Sequence, residues 1–277
     1  MIQVGASIRQ NSVLTREWKE FVDKQIKEAA RAANIARKLM PVQKIDSSKI
    51  EYVYYKMTDM GDAVISTLPS PNTGDITDIT RYSVPILTIS KGFKLPRLYS
   101  RDVVTMNARN AAIQVTEEEN KLVIDGWAPD GSNYEVKGLY QAANNSVSGS
   151  DFGTAGNAAS TIGDAIAALA ADNIRGPYTL LLHPTQYAEL VKSFSSSGDE
   201  FAKVKGMLEG GNIISTTYIT AGTGLLFARN ENYMRLIVAE DIHEVSDTDL
   251  TEDRFLVYER LVPVIWETNA ICKITGI

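Results

Sequence analysis

The sequence predicts an α+β protein, and three observations carry that expectation. Near the N-terminus, Trp18, Phe21, Val22, Ile26, Ala29 and Ala33 recur at three- and four-residue steps, the period of a helix with one apolar face. In the middle, Gly176-Pro177 precedes the run Tyr178–Leu182 and then His183-Pro184, which reads as a turn, a buried strand and a new helix. Beyond Gly210-Gly211, strand-like runs follow one another without intervening helices, unlike an alternating βαβ chain.

Taken in order, residues 1–14 lack a clear period and read as an arm. Thr15 has the N-cap chemistry for the first helix, with Glu17 in the first turn, where the helix dipole favours an anion. That helix is expected to run to Leu39-Met40, because Pro41 disfavours a helical residue before it. Strands are expected from Ile50 to about Leu98. They flank the segment Thr67–Thr80, whose Pro69, Pro71, Asn72 and Gly74 mark a turn or long loop. Such a hairpin cannot bury both faces alone, so it is expected to lie on another subunit. Ser100 or Asp102 can cap a long helix that runs to about Asp125, with Gly126 as its stop. Asn144–Ala159 is rich in Asn, Ser and Gly and reads as a surface loop. Thr161–Ile174 reads as a third helix. A helix over Pro184–Phe194, the loop Ser195–Asp199 and a short helix over Glu200–Leu208 follow. Strands are then expected at Ile213–Thr217, Gly224–Ala228, Arg235–Val238 and Phe255–Ile265, ending at Ile274.

Composition bounds the function classes. The chain has 277 residues, 44% hydrophobic and 22% charged, as in ordinary globular proteins of one or two domains. The net charge of -6 gives no reason to expect a grip on nucleic-acid phosphates. Cys272 is the lone cysteine. It can form no internal disulfide and, within Ala270-Ile271-Cys272, reads as a small buried hydrophobe. No secretory leader is visible, and no apolar run approaches the roughly 18 residues that span a bilayer, so a cytoplasmic location and no membrane partner are expected.

The usual catalytic signatures are missing: there is no phosphate-cradling Gly-x-x-x-x-Gly-Lys loop, nucleophile elbow or paired-histidine zinc helix. His183 and His243 read as structural or surface residues. Glu117, Glu118 and Glu119 point about 100° apart on a helix and cannot converge on one metal ion, so they read as a solvated face or an inter-subunit salt bridge. Asp241, Asp247, Asp249 and Asp253 do not have the spacing of a calcium loop. No catalytic residue, metal or cofactor is expected. The face of Trp18, Phe21, Val22 and Ile26 carries two open readings, core packing and a groove that receives a short apolar peptide.

Several blocks in order and spacing resemble the shell proteins of encapsulins, nanocompartments related to tailed-phage capsids. They are Leu14–Asp23, Met106–Gly126 ending Val123-Ile124-Asp125-Gly126, Val136–Leu139, Asn173–Tyr178, Leu208–Ile214 and Phe255–Ile265. The resemblance implies the Hong Kong 97 phage-type capsid fold with a peripheral domain, an axial domain and an extended loop. On that map residues 1–50 form the arm and first helix, 51–92 the extended loop and 93–138 the peripheral domain with its spine helix. Residues 139–228 form the axial domain, and 229–277 form strands that return to the peripheral domain.

The implied function is an icosahedral shell that self-assembles and encapsulates a cargo enzyme. The alternative is the major capsid protein of a virus or provirus, packaging DNA. The implied partners are further copies of the chain and a cargo protein with a C-terminal targeting peptide, ferritin-like or a peroxidase. The cargo-binding residues would be Trp18, Phe21, Val22 and Ile26, and aspartate at Phe21 or Ile26 is expected to abolish loading while sparing assembly. The loop of Ser195, Ser196, Ser197, Gly198, Asp199 and Glu200 would border a pore, its small serines setting width and its acidic pair setting charge.

Overall fold

A computed structural model describes residues 16–57, 79–96, 101–195, 198–248 and 251–277. The expected arm, the Thr15 and Ser100 caps, most of the Thr67–Thr80 segment, Asp249 and two of the pore-loop residues, Ser196 and Ser197, lie outside them.

In chain order, helix α1 (Arg16–Ala33) and the single turn α2 (Ala36–Leu39) lead to strand β1 (Val42–Lys44) and a hairpin of β2 (Glu51–Met57) and β3 (Ile79–Pro85). Strand β4 (Leu87–Pro96) and the long helix α3 (Arg101–Ile124) follow, then β5 (Gly126–Trp127), β6 (Val136–Lys137) and α4 (Leu139–Ala142). Next come β7 (Asn145–Ser148), α5 (Asn157–Ala171), β8 (Tyr178–Leu182), α6 (Pro184–Lys192), the short pair β9 (Phe194–Ser195) and β10 (Gly198–Asp199), and α7 (Glu200–Met207). The chain closes with β11 (Ile213–Ser215), β12 (Thr223–Ala228), β13 (Met234–Thr248), β14 (Glu252–Ile265) and β15 (Ile271–Thr275).

Two sheets organise the molecule. One has the order β1-β13-β14-β4, the other β11-β8-β12-β15-β7. Helices α1 and α3 lie on the first. Their small residues Ala29, Ala30, Ala108, Ala111 and Ala112 let the helices approach closely over Ile242 and Val257. Both faces of the second sheet are covered. Leu181, Leu225, Phe227 and Ile271 pack toward the first sheet, whereas Leu180, Leu182, Leu226 and Ile274 pack under α5 and α7. This double burial explains why β8 reads as a continuous apolar run rather than an alternation.

The first helix departs from its expected length. It stops at Ala33, and α2 starts afresh at Ala36. The cause is Asn120 on α3, whose side-chain oxygen accepts from the backbone N–H groups of Ile35 and Ala36 at 2.9 Å each, while its amide donates to the Ala33 carbonyl. These bonds replace the helical ladder at the break. The long helix ends where Gly126 adopts φ +108, a conformation glycine tolerates best. A Cβ there would lie 2.4 Å from the Val136 carbonyl oxygen.

One other expectation is corrected. The stretch expected as a loop after Asn144 contains β7, which pairs in parallel with β15. Strands β13 and β14 join β4, whereas β15 lies in the five-stranded sheet, between β12 and β7.

Candidate functional site

The N-terminal helix supplies the first candidate surface. Trp18 lies near Val104, and Asn34 donates to Glu119, so α1 runs parallel to α3 along its length. Of the four residues proposed on its face, Val22 and Ile26 are fully buried against α3 and the sheet. Burial of two such side chains contributes about 1.5–3 kcal/mol each and fixes the helix in place. Trp18 is half-buried, with the Arg101 guanidinium 5.5 Å from its ring centroid. Phe21 is 49% exposed. The apolar face is therefore divided: Val22 and Ile26 pack inward, whereas Phe21 and the outer part of Trp18 meet solvent. Aspartate at Ile26 would accordingly strike the core, so the expectation that it spares assembly is corrected.

At the C-terminal end of α1 sits a polar network. The Arg37 guanidinium forms ion pairs with Glu119 at 3.0 Å, Asp241 at 2.8 Å and Glu259 at 3.1 Å. Lys44 completes it by pairing with Asp241. Glu119 and Glu259 are each 1% exposed. A recess of about 100 Å³ opens above, rimmed by Lys27, Arg31 and Asn34. Burial, reinforced by the neighbouring Glu119 charge, pushes the Glu259 carboxyl up to about 9, and its Oε1 meets no donor. A carboxyl so raised favours its protonated form, which can donate to the neighbouring Glu119 carboxylate and so relieve the repulsion between the two by a shared proton. Of the three consecutive glutamates, then, Glu117 and Glu118 are solvated as expected, but Glu119 is a core ion-pair partner.

This arrangement predicts a pH dependence. A carboxyl raised in the folded state is most stabilising below its ordinary value near 4.5, and that stability is lost as pH rises toward 9. Glu259→Gln mimics the protonated acid. Its urea midpoint relative to the unmodified protein should improve steadily between pH 5 and pH 9. A difference that stays constant across that range would remove the shared proton from the account.

The second candidate surface is the β9–β10 turn. Ser195 pairs with Gly198, and Asp199 is exposed and caps α7 by accepting from the Phe201 N–H at 3.0 Å. Glu200 differs from its expected place on a pore rim. It is fully buried, and its carboxylate turns inward to accept from the Gly156 and Ala159 N–H groups at the start of α5 and from the Ser193 hydroxyl. Burial alone would raise its pKa, but these three hydrogen bonds outweigh it and hold the carboxyl below its usual range. Glu200 therefore acts as a cap for a neighbouring helix. Of the acidic pair, Asp199 remains on the surface.

The third is the β2–β3 hairpin. Tyr55, Ile79 and Tyr82 are exposed, as is Ile50 at its base, 77% so. Tyr54 and Tyr82 stack at 5.4 Å across the strands. Among the described residues, no cluster of three or more His, Cys, Asp or Glu is placed to hold a metal ion. His183 caps α6, and the ring of His243 bonds the Asp241 carbonyl oxygen, so both histidines serve the fold. No helix among the described residues is long and apolar enough to cross a membrane. Sequence reasoning missed Arg37 and its partners. The available signal was Asn34, a residue typical of helix caps set inside an otherwise helical run.

Comparison with known proteins bears on all three surfaces. The family model described as encapsulating protein for peroxidase (Linocin M18) matches residues 8–262. No curated protein matches. Among solved structures, the chain is similar to a virus-like particle from Pyrococcus furiosus at 20% identity and TM-score 0.69, over 93% of this chain and 99% of that one. It is similar to the capsid of Myoviridae phage XM1 at 14% identity and TM-score 0.65, over 88% and 91%. The capsid of the native GTA particle gives 16% identity and TM-score 0.65, over 88% and 90%. At these identities the solved structures establish the fold, which is the Hong Kong 97 phage type.

Proposed function

The chain belongs to the family described as encapsulating protein for peroxidase, and from that premise we propose that it builds a closed icosahedral shell whose inner wall captures a cargo enzyme through the exposed part of α1. It is a shell protein with a capsid fold. The observation that carries the reading is the family match, which spans 8–262 and so takes in α1, the hairpin and both sheets except β15 and the last residues of β14.

Each candidate surface has a role in this proposal. The β2–β3 hairpin, with its exposed Tyr55, Ile79 and Tyr82, reaches onto a neighbouring copy, because a two-stranded ribbon needs a third layer to bury its apolar side chains. Trp18 and Phe21 receive an apolar C-terminal segment of a cargo, a peroxidase by the family description, with ferritin-like proteins as the second class. Val22 and Ile26 contribute by holding α1 on α3. The β9–β10 turn, with Ser195, Gly198 and Asp199, borders a pore at a symmetry axis. The particle works in the cytoplasm.

Expression of the chain alone, followed by electron microscopy and absorbance at 260 and 280 nm, tests the reading. Uniform closed particles without nucleic acid are expected. Particles rich in nucleic acid would move the function to a DNA-packaging capsid, and a monomer or small oligomer would overturn both. Cargo docking has its own test. Phe21→Asp should leave particles intact and lower the amount of co-expressed peroxidase retained in them about 30-fold, the effect of losing roughly 2 kcal/mol at a hot spot. Undiminished retention would move the docking surface off α1.

A further inference from the structure

The base of the hairpin packs on the core through Tyr52, Tyr54 and Val84, and the neck, the segment that leads into it, is gripped by one side chain. Arg260 lies on β14, opposite Glu240 of β13 and Thr88 of β4. Its guanidinium leaves the sheet and donates to two carbonyl oxygens of the incoming segment, Ser47 at 2.6 Å and Lys49 at 2.8 Å. The Glu240 carboxylate stands 3.8 Å behind it. The gripped segment is itself folded into a turn, in which the Asp46 carboxylate accepts from the Ser48 N–H at 2.8 Å. On either side of that turn the backbone is fixed again: Ile45 donates to Val238 in β13, and Ile86 on the returning strand donates to Ile50. Strand β13 has a register shift on each side of Glu240, so the sheet is irregular at the level where Arg260 leaves it.

We propose that Arg260 is a positioning residue for shell assembly, fixing the angle at which the β2–β3 hairpin leaves the body and through it the curvature and uniformity of the shell. This rests on the reading that the hairpin contacts a second copy. The physical argument is one of leverage. Strand β2 has seven residues, so the far end of the hairpin lies ~23 Å along the strand from the neck, with its inner half resting on the core. A turn of about 10° at the neck moves its far end by about 4 Å, close to the spacing of about 4.8 Å between paired strands. Closed symmetric assemblies repeat one contact with one rotation, so an error of that size breaks the contact or closes a shell of another size. The inner part of the ribbon rests on the core through Tyr52, Tyr54 and Val84, whereas Tyr55 and Ile79 toward its far end are exposed, so the inner packing and the neck together set the direction of the outer part. Arginine suits the task because its planar fork fixes two carbonyls in one plane, whereas a lysine ammonium is a single point on a flexible stem.

The test compares the full chain with Arg260→Lys and Arg260→Ala. Particle diameters come from electron microscopy, and amide hydrogen exchange is followed over residues 45–57. Both variants should exchange at least about tenfold faster across the neck, consistent with the loss of about 1.4 kcal/mol of local stability. Their diameter distribution should be at least about twofold broader, or their shells open, with lysine less affected than alanine. Uniform particles of unchanged diameter despite faster exchange would overturn the positioning role and leave Arg260 a local stabiliser. Unchanged exchange would overturn the grip itself. Should Arg260→Ala fail to fold, Arg260→Lys, which keeps the charge beside Glu240, decides by the same two readouts. If the unmodified chain forms no particles, the shell reading fails, whereas the exchange measurement still judges the grip.

Discussion

Replacing Arg37 by methionine lowers stability by about 3–5 kcal/mol at pH 8, the cost of leaving buried charges without their partner. Arg37 is the cation shared by Glu119, Asp241 and Glu259, and two of these carboxylates have almost no access to water. Methionine fills a similar volume, so the loss is electrostatic rather than a cavity effect. The loss should shrink at pH 5.5, because Glu119, raised by burial and now without the guanidinium, takes up a proton there, whereas Glu259, raised to about 9, holds its proton at both pH values. Urea midpoints at the two pH values measure this. A loss below about 1 kcal/mol, or the same loss at both pH values, would mean that Arg37 acts through packing. The network joins α2, α3, β13 and β14, so the same substitution should free the end of α1, which carries the proposed docking face.

Gly211→Ala has the second large effect, about 3 kcal/mol or more, and it acts through the backbone. A Cβ at Gly211 would sit 1.6 Å from the Tyr178 carbonyl oxygen. No rotamer relieves that clash, because both atoms belong to the main chain. The chain around Gly211 turns from α7 into β11, with its N–H bonded to Leu208 and the next residue, Asn212, accepting from Leu180. Separating the two backbones strips β11 from β8 and exposes the edge of the five-stranded sheet. Thermal melts should show a large drop for Gly211→Ala and, as a control, a slight gain for Gly206→Ala on α7, where an added Cβ meets nothing within 4 Å. Equal behaviour of the two variants would contradict the close approach.

Much of the fold was legible. The long helix, expected from a cap at Ser100 or Asp102 to about Asp125, runs Arg101–Ile124, because its small and apolar positions repeat at helical spacing and Gly126 supplies the stop. Strand β8 was legible from its apolar run after Gly176-Pro177. The candidate site was legible only in outline. Trp18, Phe21, Val22 and Ile26 were recognised as one apolar face, but the division into buried Val22 and Ile26 and exposed Phe21 depends on where α3 and β13 lie against the helix. The Glu117-Glu118-Glu119 run gives no hint of which residue turns inward, since that depends on Arg37, distant in the sequence. Asp199 and Glu200 look alike in the chain, yet only Glu200 finds the open N-terminus of α5.

By itself the sequence determined the α+β class, the amphipathic α1, the spine helix, the buried β8 and the blocks that mark the family, because periodicity, turn chemistry and short-range spacing are local properties of the chain. Tertiary structure alone decided the break in α1 at Asn34, made by Asn120, and the existence of β7, which pairs with β15 near the C-terminus. It also decided the inward turn of Glu119 and Glu200 and the grip of Arg260 on the hairpin neck. In each of these the partner comes from another part of the chain. Its hydrogen bonds or charge outweigh a local preference worth at most about 1 kcal/mol per residue.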